Sequence, residues 1–175
     1  MTTTGLAAVY GVLARQNAHA NRVLFTEALQ LGQEALEEAG SPSRESVHQL
    51  LCHLTAVEDN YLSQIRGVAR RFNQTSAMPL TDVAALADET SRALLDYVTS
   101  LAESEFERVV EFRFSTGALV RYPVWQILTQ ILIHSTHHRG ELSVLLSALG
   151  RPLPIDDIIV RFTDESGQDW PFRQR

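Results

Sequence analysis

Hydrophobic residues recur with helical spacing in four long stretches of the chain. These stretches cover about residues 6–31, 46–71 and 82–102, and the region between Pro123 and Gly150. In each stretch, apolar residues three or four positions apart fall on one face when successive residues are turned by about 100°. The pattern therefore predicts four long helices, each with an apolar face that packs into a shared core.

Capping and terminating residues mark where these helices begin and end. Thr4 and Thr81 can cap the first and third helices, and Ser46 with Gln49 three positions later reads as a capping box. Gly150, with Pro152 two residues later, ends the fourth helix. One or two further helical turns are expected over 33–39, before a loop begins.

Residues 107–122 follow a different pattern. Val110, Phe112 and Phe114 alternate with charged residues, a polar turn follows, and the alternation resumes at Val120 and Tyr122. Strict alternation around a turn predicts a short β-hairpin, which needs the bundle to pack against because a lone hairpin is marginally stable. The expected fold class is thus all-α, a four-helix bundle with a hairpin before the last helix.

The rest of the chain adds little to this architecture. Residues 152–162 are expected to form an ordered tail along the body of the protein, and 166–175 a polar tail in which Trp170 and Phe172 are candidates for docking. At 175 residues, the chain is most simply one domain, over 1–165, with that short tail.

Composition narrows the classes of function. A net charge of −6 argues against nucleic-acid binding by electrostatic attraction, and a single cysteine excludes an internal disulfide framework. No charged leader precedes a short apolar run, and no uninterrupted apolar stretch of ~18 residues occurs. We therefore expect a cytoplasmic protein without a membrane span.

The apolar stripe of the fourth helix is interrupted by polar residues for about one turn. His134 and His138 fall inside the stripe, with Ser135 beside them. Histidines four positions apart on a helix project from one face and can converge on one metal ion. The alternative is a pair of core histidines that bind backbone groups or each other. A metal usually takes three or four protein ligands, so the rest of the chain must supply more.

The second helix offers a third histidine. His53 is one turn from both Leu50 and Val57, on the flank of the apolar stripe, which makes it the candidate for a buried role. His48, in the first turn, is expected to face solvent. His137 on the fourth helix is expected to flank the apolar face, and Cys52 to point away from the centre of its stripe. His53, His134 and His138 are therefore the predicted ligand set.

Three further polar residues lie near these stripes without an assigned role. Asn17 sits in the stripe of the first helix, where it either supports a buried site or is a tolerated polar residue. Glu58 is expected to be a surface or bridging carboxylate. Glu141 lies near the inner face of the fourth helix, which would place a carboxylate close to a metal.

Several motifs together resemble the DinB/YfiT-like family of small bacterial metalloproteins. The resemblance spans about Leu6 to Phe162, and its most specific part is the histidine-rich segment 134–142. The matching segments are His53-Leu54, Thr116-Gly117, Pro123-Val124-Trp125, His134-Ser135-Thr136-His137-His138-Arg139-Gly140-Glu141-Leu142 and Leu149-Gly150. This family implies a four-helix bundle, usually dimeric, with a divalent metal, often nickel or zinc. By this resemblance too, the metal ligands are His53, His134 and His138.

The resemblance leaves the activity open between two classes. Related families use such a site to activate a low-molecular-weight thiol, and others resemble hydrolases, which favours a metal-dependent thiol S-transferase or hydrolase. Three imidazoles would leave a fourth position of the ion open to water or a thiolate. The alternative is a non-catalytic, dimeric metal-binding or stress-response module.

A homodimer is also expected from the pattern of the fourth helix. Trp125, Leu132 and Ile133 lie toward a second face, away from the main stripe. One bundle core does not require so wide an apolar surface, so a further burial surface is expected there. The hairpin or the C-terminal tail is the alternative cover.

Overall fold

The computed structural model describes residues 5–72, 78–114, 116–154 and 158–167. The sequence predictions for a Thr4 cap and for docking of Trp170 and Phe172 lie outside these residues. The elements, in chain order, are α1 (Leu6–Leu31), α2 (Gln33–Glu38), α3 (Val47–Arg66), α4 (Leu80–Ser100), a 3-10 helix (Glu103–Glu107), β1 (Val109–Arg113), β2 (Leu119–Pro123), α5 (Val124–Ala148) and α6 (Ile158–Glu165).

The four long helices form a bundle in which each packs against two others. α1 lies against α4 and α5, and α3 lies against α5 and α4, so that α1 and α3 occupy opposite corners. The short α2 connects α1 to α3 and packs on both. The predicted all-α bundle with a hairpin before its fourth long helix is confirmed.

The hairpin closes one end of the bundle. β1 and β2 pair antiparallel, with Phe112 opposite Val120 and Val110 opposite Tyr122. Phe112 is buried in the core formed by this half of the bundle. The backbone N–H of Val124 donates to the Arg108 carbonyl at 3.0 Å, which joins the start of α5 to the start of the hairpin.

A layer of polar side chains divides the hydrophobic interior into two cores. One core contains Leu24, Leu50 and Leu142, and the other contains Tyr10, Ile65 and Ile131. Between the two, α1, α3 and α5 contribute buried polar residues: Asn17, Asn21, Glu58, Asp59, Ser135 and His138. The break in the apolar stripe of α5 therefore continues across the bundle.

Most predicted helix ends are close to the observed ones, and the differences have local causes. Ser46 accepts a hydrogen bond from the Gln49 N–H at 3.2 Å, as a capping box requires, but the Gln49 side chain donates to Glu45 instead of returning to Ser46. α3 ends five residues earlier than the expected Arg71, because Gly67 takes a left-handed conformation at φ 66°. α4 begins at Leu80, so the prediction of a Thr81 cap is wrong. Pro79 holds the cap position and its carbonyl accepts from two backbone N–H groups.

Side-chain burial corrects several expectations. Leu6 and Val9 on α1 are exposed, although their helical spacing with Leu13 and Leu24 predicts that they share the inner face of the helix. Trp125 and Leu132, which were assigned to a second, uncovered face of the fourth helix, are partly buried against the monomer's own core, whereas Ile133 is exposed. The segment expected as an ordered tail, residues 152–162, ends within the helix α6 (Ile158–Glu165). Within the described residues, no helix is both long and apolar enough to cross a membrane.

Candidate metal centre

The structure brings His53, His134 and His138 together at the polar layer. His53 comes from the second turn of α3, and the other two come from successive turns of α5, which packs against α3. The ring centroids of each pair lie between 4.5 and 5.1 Å apart. Each residue offers a ring nitrogen within 4.8 Å of those of the other two. The sequence therefore identified the three histidines that converge.

The spacing of the nitrogen atoms matches the separation of ligands on one ion. Nε2 of His53 lies 3.2 Å from Nε2 of His134. Two imidazole nitrogens bound to a tetrahedral zinc at about 2.0–2.1 Å are separated by about 3.3 Å. The two side chains thus lie at the distance that a shared ion would impose.

Two buried nitrogens in this cluster lack protein partners. Within the described part of the chain, Nδ1 of His134 and Nδ1 of His138 are buried without a hydrogen bond. The nearest carboxylate oxygen to the His138 Nδ1, Oε2 of Glu141, is 3.5 Å away, which is long for a hydrogen bond. Buried polar atoms in folded proteins are nearly always satisfied, so this pair of exceptions needs a reason. If the ion is bound through Nε2, Nδ1 carries the N–H of each ring, and Glu141 is positioned to become its acceptor at His138.

All three imidazoles are held in the neutral form that ligation needs. Burial, the Arg44 charge and the two neighbouring histidines lower the pKa of His53 to about 3. Burial and the charges of His138, His137 and Arg44 lower the pKa of His134 to about 4. Burial also lowers the pKa of His138, although Glu141 opposes this.

A comparison with protein families identifies the chain. The model of the DinB family matches residues 1–168. The chain belongs to the DinB family. The search of curated proteins returns no match to it. The resemblance inferred from the sequence motifs is therefore confirmed at the level of the family.

The DinB-family chain carries an arginine at the site that sequence reasoning missed. Nη2 of Arg44 lies 2.8 Å from both Nδ1 and Nε2 of His53, and Nη1 donates to the Ser43 carbonyl. Arg44 belongs to the loop before α3 and to no amphipathic pattern, so periodicity gave no signal for it. Its guanidinium places a permanent positive charge against one face of the cluster.

Glu141 connects the same loop to α5. Its carboxylate accepts hydrogen bonds from the Ser41 hydroxyl at 2.7 Å, the Ser43 hydroxyl at 2.6 Å and the Ser43 N–H at 3.2 Å. Burial alone would raise the pKa of Glu141, but these hydrogen bonds from the serines and the proximity of His138 lower it to about 2. The carboxylate is therefore ionised near His138, as the sequence suggested, and its main partners are the two loop serines.

The polar layer continues beside the cluster as a buried carboxylate network. Glu58, only 1% exposed, accepts hydrogen bonds from Asn17 at 2.9 Å, Asn21 at 3.0 Å and Ser135 at 2.5 Å. Arg139 donates to the amide oxygens of both asparagines. The expectation of a surface position for Glu58 is thus wrong, and its bridging role is correct. Asn17 and Asn21 thus each donate to the Glu58 carboxylate and accept from the Arg139 guanidinium.

Cys52, His48 and His137 do not belong to the group of three converging histidines, although the ring of His137 lies 4.9 Å from that of His138. His48 was expected in solvent but is 1% exposed, because Glu37 of α2 and Cys52 cover it at 3.7 Å and 3.8 Å. Burial raises the pKa of Cys52 to about 11, so the thiol is protonated at neutral pH. His137 is exposed, as expected, and belongs to a second potential ligand group with His138 and Glu141.

Proposed function

We propose that this DinB-family protein binds a divalent metal ion through His53, His134 and His138, and uses it in thiol S-transfer or hydrolysis. The 3.2 Å separation of Nε2 on His53 and His134 carries the proposal, since it matches two ligands of one ion. The lowered histidine pKa values support it, since they keep the imidazoles neutral.

Zinc or nickel is the metal that the family resemblance implies, and the donors are compatible with either, as they are with copper or iron. Imidazole ligands suit borderline metals, and no thiolate is offered, since Cys52 stays protonated and belongs to neither potential ligand group. The group formed by His137, His138 and Glu141 is the weaker candidate, because His137 is exposed and shares His138 with the buried set. We therefore assign the ion to the three-histidine group.

The protein's own residues would orient these ligands. Glu141, 3.5 Å from Nδ1 of His138, needs only a small shift to accept that N–H, which would leave Nε2 of His138 for the ion. Ser135 ties the turn between His134 and His138 to Glu58 of α3, and so fixes α5 against the helix that carries His53. A bound divalent ion would lower the pKa of a water or thiol at its open position and so supply a nucleophile at neutral pH.

The alternative is a non-catalytic, dimeric metal-binding or stress-response module. The two proposals differ in whether a ligand from solvent can reach the metal ion. His53 also lines a cleft between α3 and the hairpin, and this connection to solvent favours the enzyme.

Metal analysis of single variants tests the ligand set. Protein purified without an affinity tag is expected to contain about one divalent ion per chain by mass spectrometry. Replacing His53, His134 or His138 by Ala should each remove that ion, whereas the exposed His137→Ala is the matched control and should retain it. Retention of metal by His53→Ala together with its loss from His137→Ala would overturn the assignment.

Access to the ion separates the two classes of function. We expect the visible spectrum of cobalt-substituted protein to change on titration with azide or a simple thiol, because three protein ligands leave a position open. A spectrum that does not respond, while all three histidines are bound, would favour a structural role. A positive result would lead to assays of thiol transfer and of ester or amide hydrolysis.

A further inference from the structure

The cleft beside His53 has the features of a ligand site in its own right. It has a volume of about 640 Å³ and lies between the exposed side of α3 and the hairpin. Such a volume is typical of a small-molecule site. Because His53 forms part of its wall, a ligand in the cleft would have one end at the histidine cluster.

The charged residues that line this cleft have one sign. Arg70 follows the end of α3, and Arg113 ends β1, and no Asp or Glu occurs among the described residues of the lining. The whole chain has a net charge of −6, so a cleft with two arginines and no carboxylate runs against its overall charge. This local arrangement favours an anionic ligand.

Aromatic rings form the apolar part of the cleft. Tyr61 of α3 stacks on Phe112 of β1 with centroids 4.6 Å apart, and Phe114 meets Phe112 edge to face at 5.2 Å. Phe114 is 38% exposed, so its ring is accessible to a ligand. A flat, apolar group can pack on such a wall.

Hydrogen bonds fix the arginine-bearing strand against the helix. The Gln64 side chain accepts from the Arg113 N–H at 2.9 Å and donates to the Arg113 carbonyl at 3.4 Å. The Gln64 amide also donates to Asn60 at 3.2 Å. The backbone of Arg113 is thereby held beside α3, with Asn60 and Gln64 as additional polar groups in the lining.

We propose that this cleft binds an organic anion with a flat apolar body, whose charge is held by Arg70 and Arg113 and whose body packs on Tyr61 and Phe114. The proposal rests on the proposed function of the histidine cluster, because it names the class of substrate that would be presented to it. It commits to a small molecule with one carboxylate or similar anionic group.

Binding of a simple aromatic anion tests the proposal. We would titrate the full-length protein with 1-naphthoate and with the uncharged 1-naphthamide, and measure affinity by calorimetry. The naphthoate should bind saturably and more tightly than the amide. Amide chemical shifts in NMR spectra should change at Gln64, Arg113 and Phe114.

Substitutions then identify the groups responsible. The double variant Arg70→Gln/Arg113→Gln should weaken naphthoate binding by roughly tenfold or more, as expected for loss of charge-assisted contacts. Arg121→Gln is the matched control, since Arg121 lies on the same hairpin, is exposed and does not line the cleft. It should bind naphthoate like the unchanged protein.

The proposal for the metal site and the proposal for the cleft can each be rejected without rejecting the other. His134→Ala should lose metal yet still bind naphthoate, because His134 does not line the cleft. The double arginine variant should keep its metal. Absence of saturable binding, equal affinity for the amide, or binding that disappears in His134→Ala would each overturn the cleft proposal, whatever the metal analysis shows.

Discussion

At the scale of single residues, the surroundings of the three histidines determine their chemistry. Periodicity placed His134 and His138 inside an apolar stripe and His53 on the flank of another, which was sufficient to bring forward the three histidines that converge in the structure. Arg44 and Ser43 could not be found in this way. They lie in an irregular loop, where side-chain position follows from tertiary packing and not from a repeating pattern.

Arg44 should weaken metal binding. Its guanidinium lies 2.8 Å from both His53 nitrogens, so it competes for the one lone pair of the neutral imidazole and repels a cation placed between the imidazoles. A unit charge about 4 Å away contributes about 1 kcal/mol even in water, so Arg44→Gln should tighten zinc binding by roughly fivefold. Competition with a chromophoric chelator measures this change. Arg92→Gln, an exposed arginine of α4 that pairs with Asp88, is the control. Weaker binding in Arg44→Gln would show that Arg44 supports the site instead.

At the scale of helices and strands, the polar layer aligns α1, α3 and α5. Glu58 is the common acceptor for side chains of α1 and α5, and Ser135 and His138 project into the same layer. The sequence showed a break in the stripe of α5 and a polar residue in that of α1. It could not show that these meet, because the relative rotation of packed helices is set by the whole bundle.

Removing the charge of Glu58 should destabilise the bundle. In Glu58→Gln, one of the two acceptor oxygens becomes an NH₂ group that faces the amide donors of Asn17 and Asn21, and Arg139 loses the nearby negative charge. Unsatisfied buried groups of this kind cost about 2 kcal/mol in the free energy of unfolding. Urea denaturation measures the loss. Glu89→Gln changes an exposed ion pair with Arg71 and should alter stability by less than about 1 kcal/mol. Equal effects of both substitutions would contradict a special role for the buried carboxylate.

The boundaries of the elements were predictable where local chemistry determines them. The limits of α1 and the cap at Ser46 agree with the sequence pattern, whereas α3 was predicted too long, because an isolated Gly67 inside a helical pattern does not by itself show a left-handed turn. α6 was missed because its eight residues are too few for a firm periodicity signal.

At the scale of the whole molecule, the stability of the metal-free protein should depend on pH. The folded-state pKa values of His53 and His134, about 3 and about 4, lie below their ordinary value of 6.5. Below pH 6.5, the unfolded chain therefore takes up protons that the folded chain does not, and stability is lost as pH falls from 6.5 toward 4. The urea midpoint in the presence of a chelator should be lower at pH 5 than at pH 8.

The matched variant for this prediction carries His53→Gln and His134→Gln. It lacks both shifted groups, so the difference between its midpoints at pH 8 and pH 5 should be smaller than in the unchanged chain. An equal difference in both proteins would assign the pH dependence to other groups.

The exposed side of α5 leads to a prediction about assembly. Ile133 and Val144 are 63% and 71% exposed, and they lie three turns apart on one side of the helix, with Gly140 between them. A Cβ added at Gly140 would meet no atom within 4 Å, so the surface around it is open to the close approach of another helix. The expectation of a homodimer therefore rests on Ile133 and Val144, since Trp125 and Leu132 pack within one chain.

Light scattering at micromolar concentration should therefore show a particle of two 19.5 kDa chains. The double variant Ile133→Glu/Val144→Glu should be monomeric, because pairing two copies would bury four carboxylates against apolar surface. Val109→Glu, an equally exposed apolar residue on the hairpin, serves as the control and should leave the dimer intact. A monomer in the unchanged protein would reject the dimer. A dimer that persists in the α5 variant but is lost in Val109→Glu would move the interface to the hairpin.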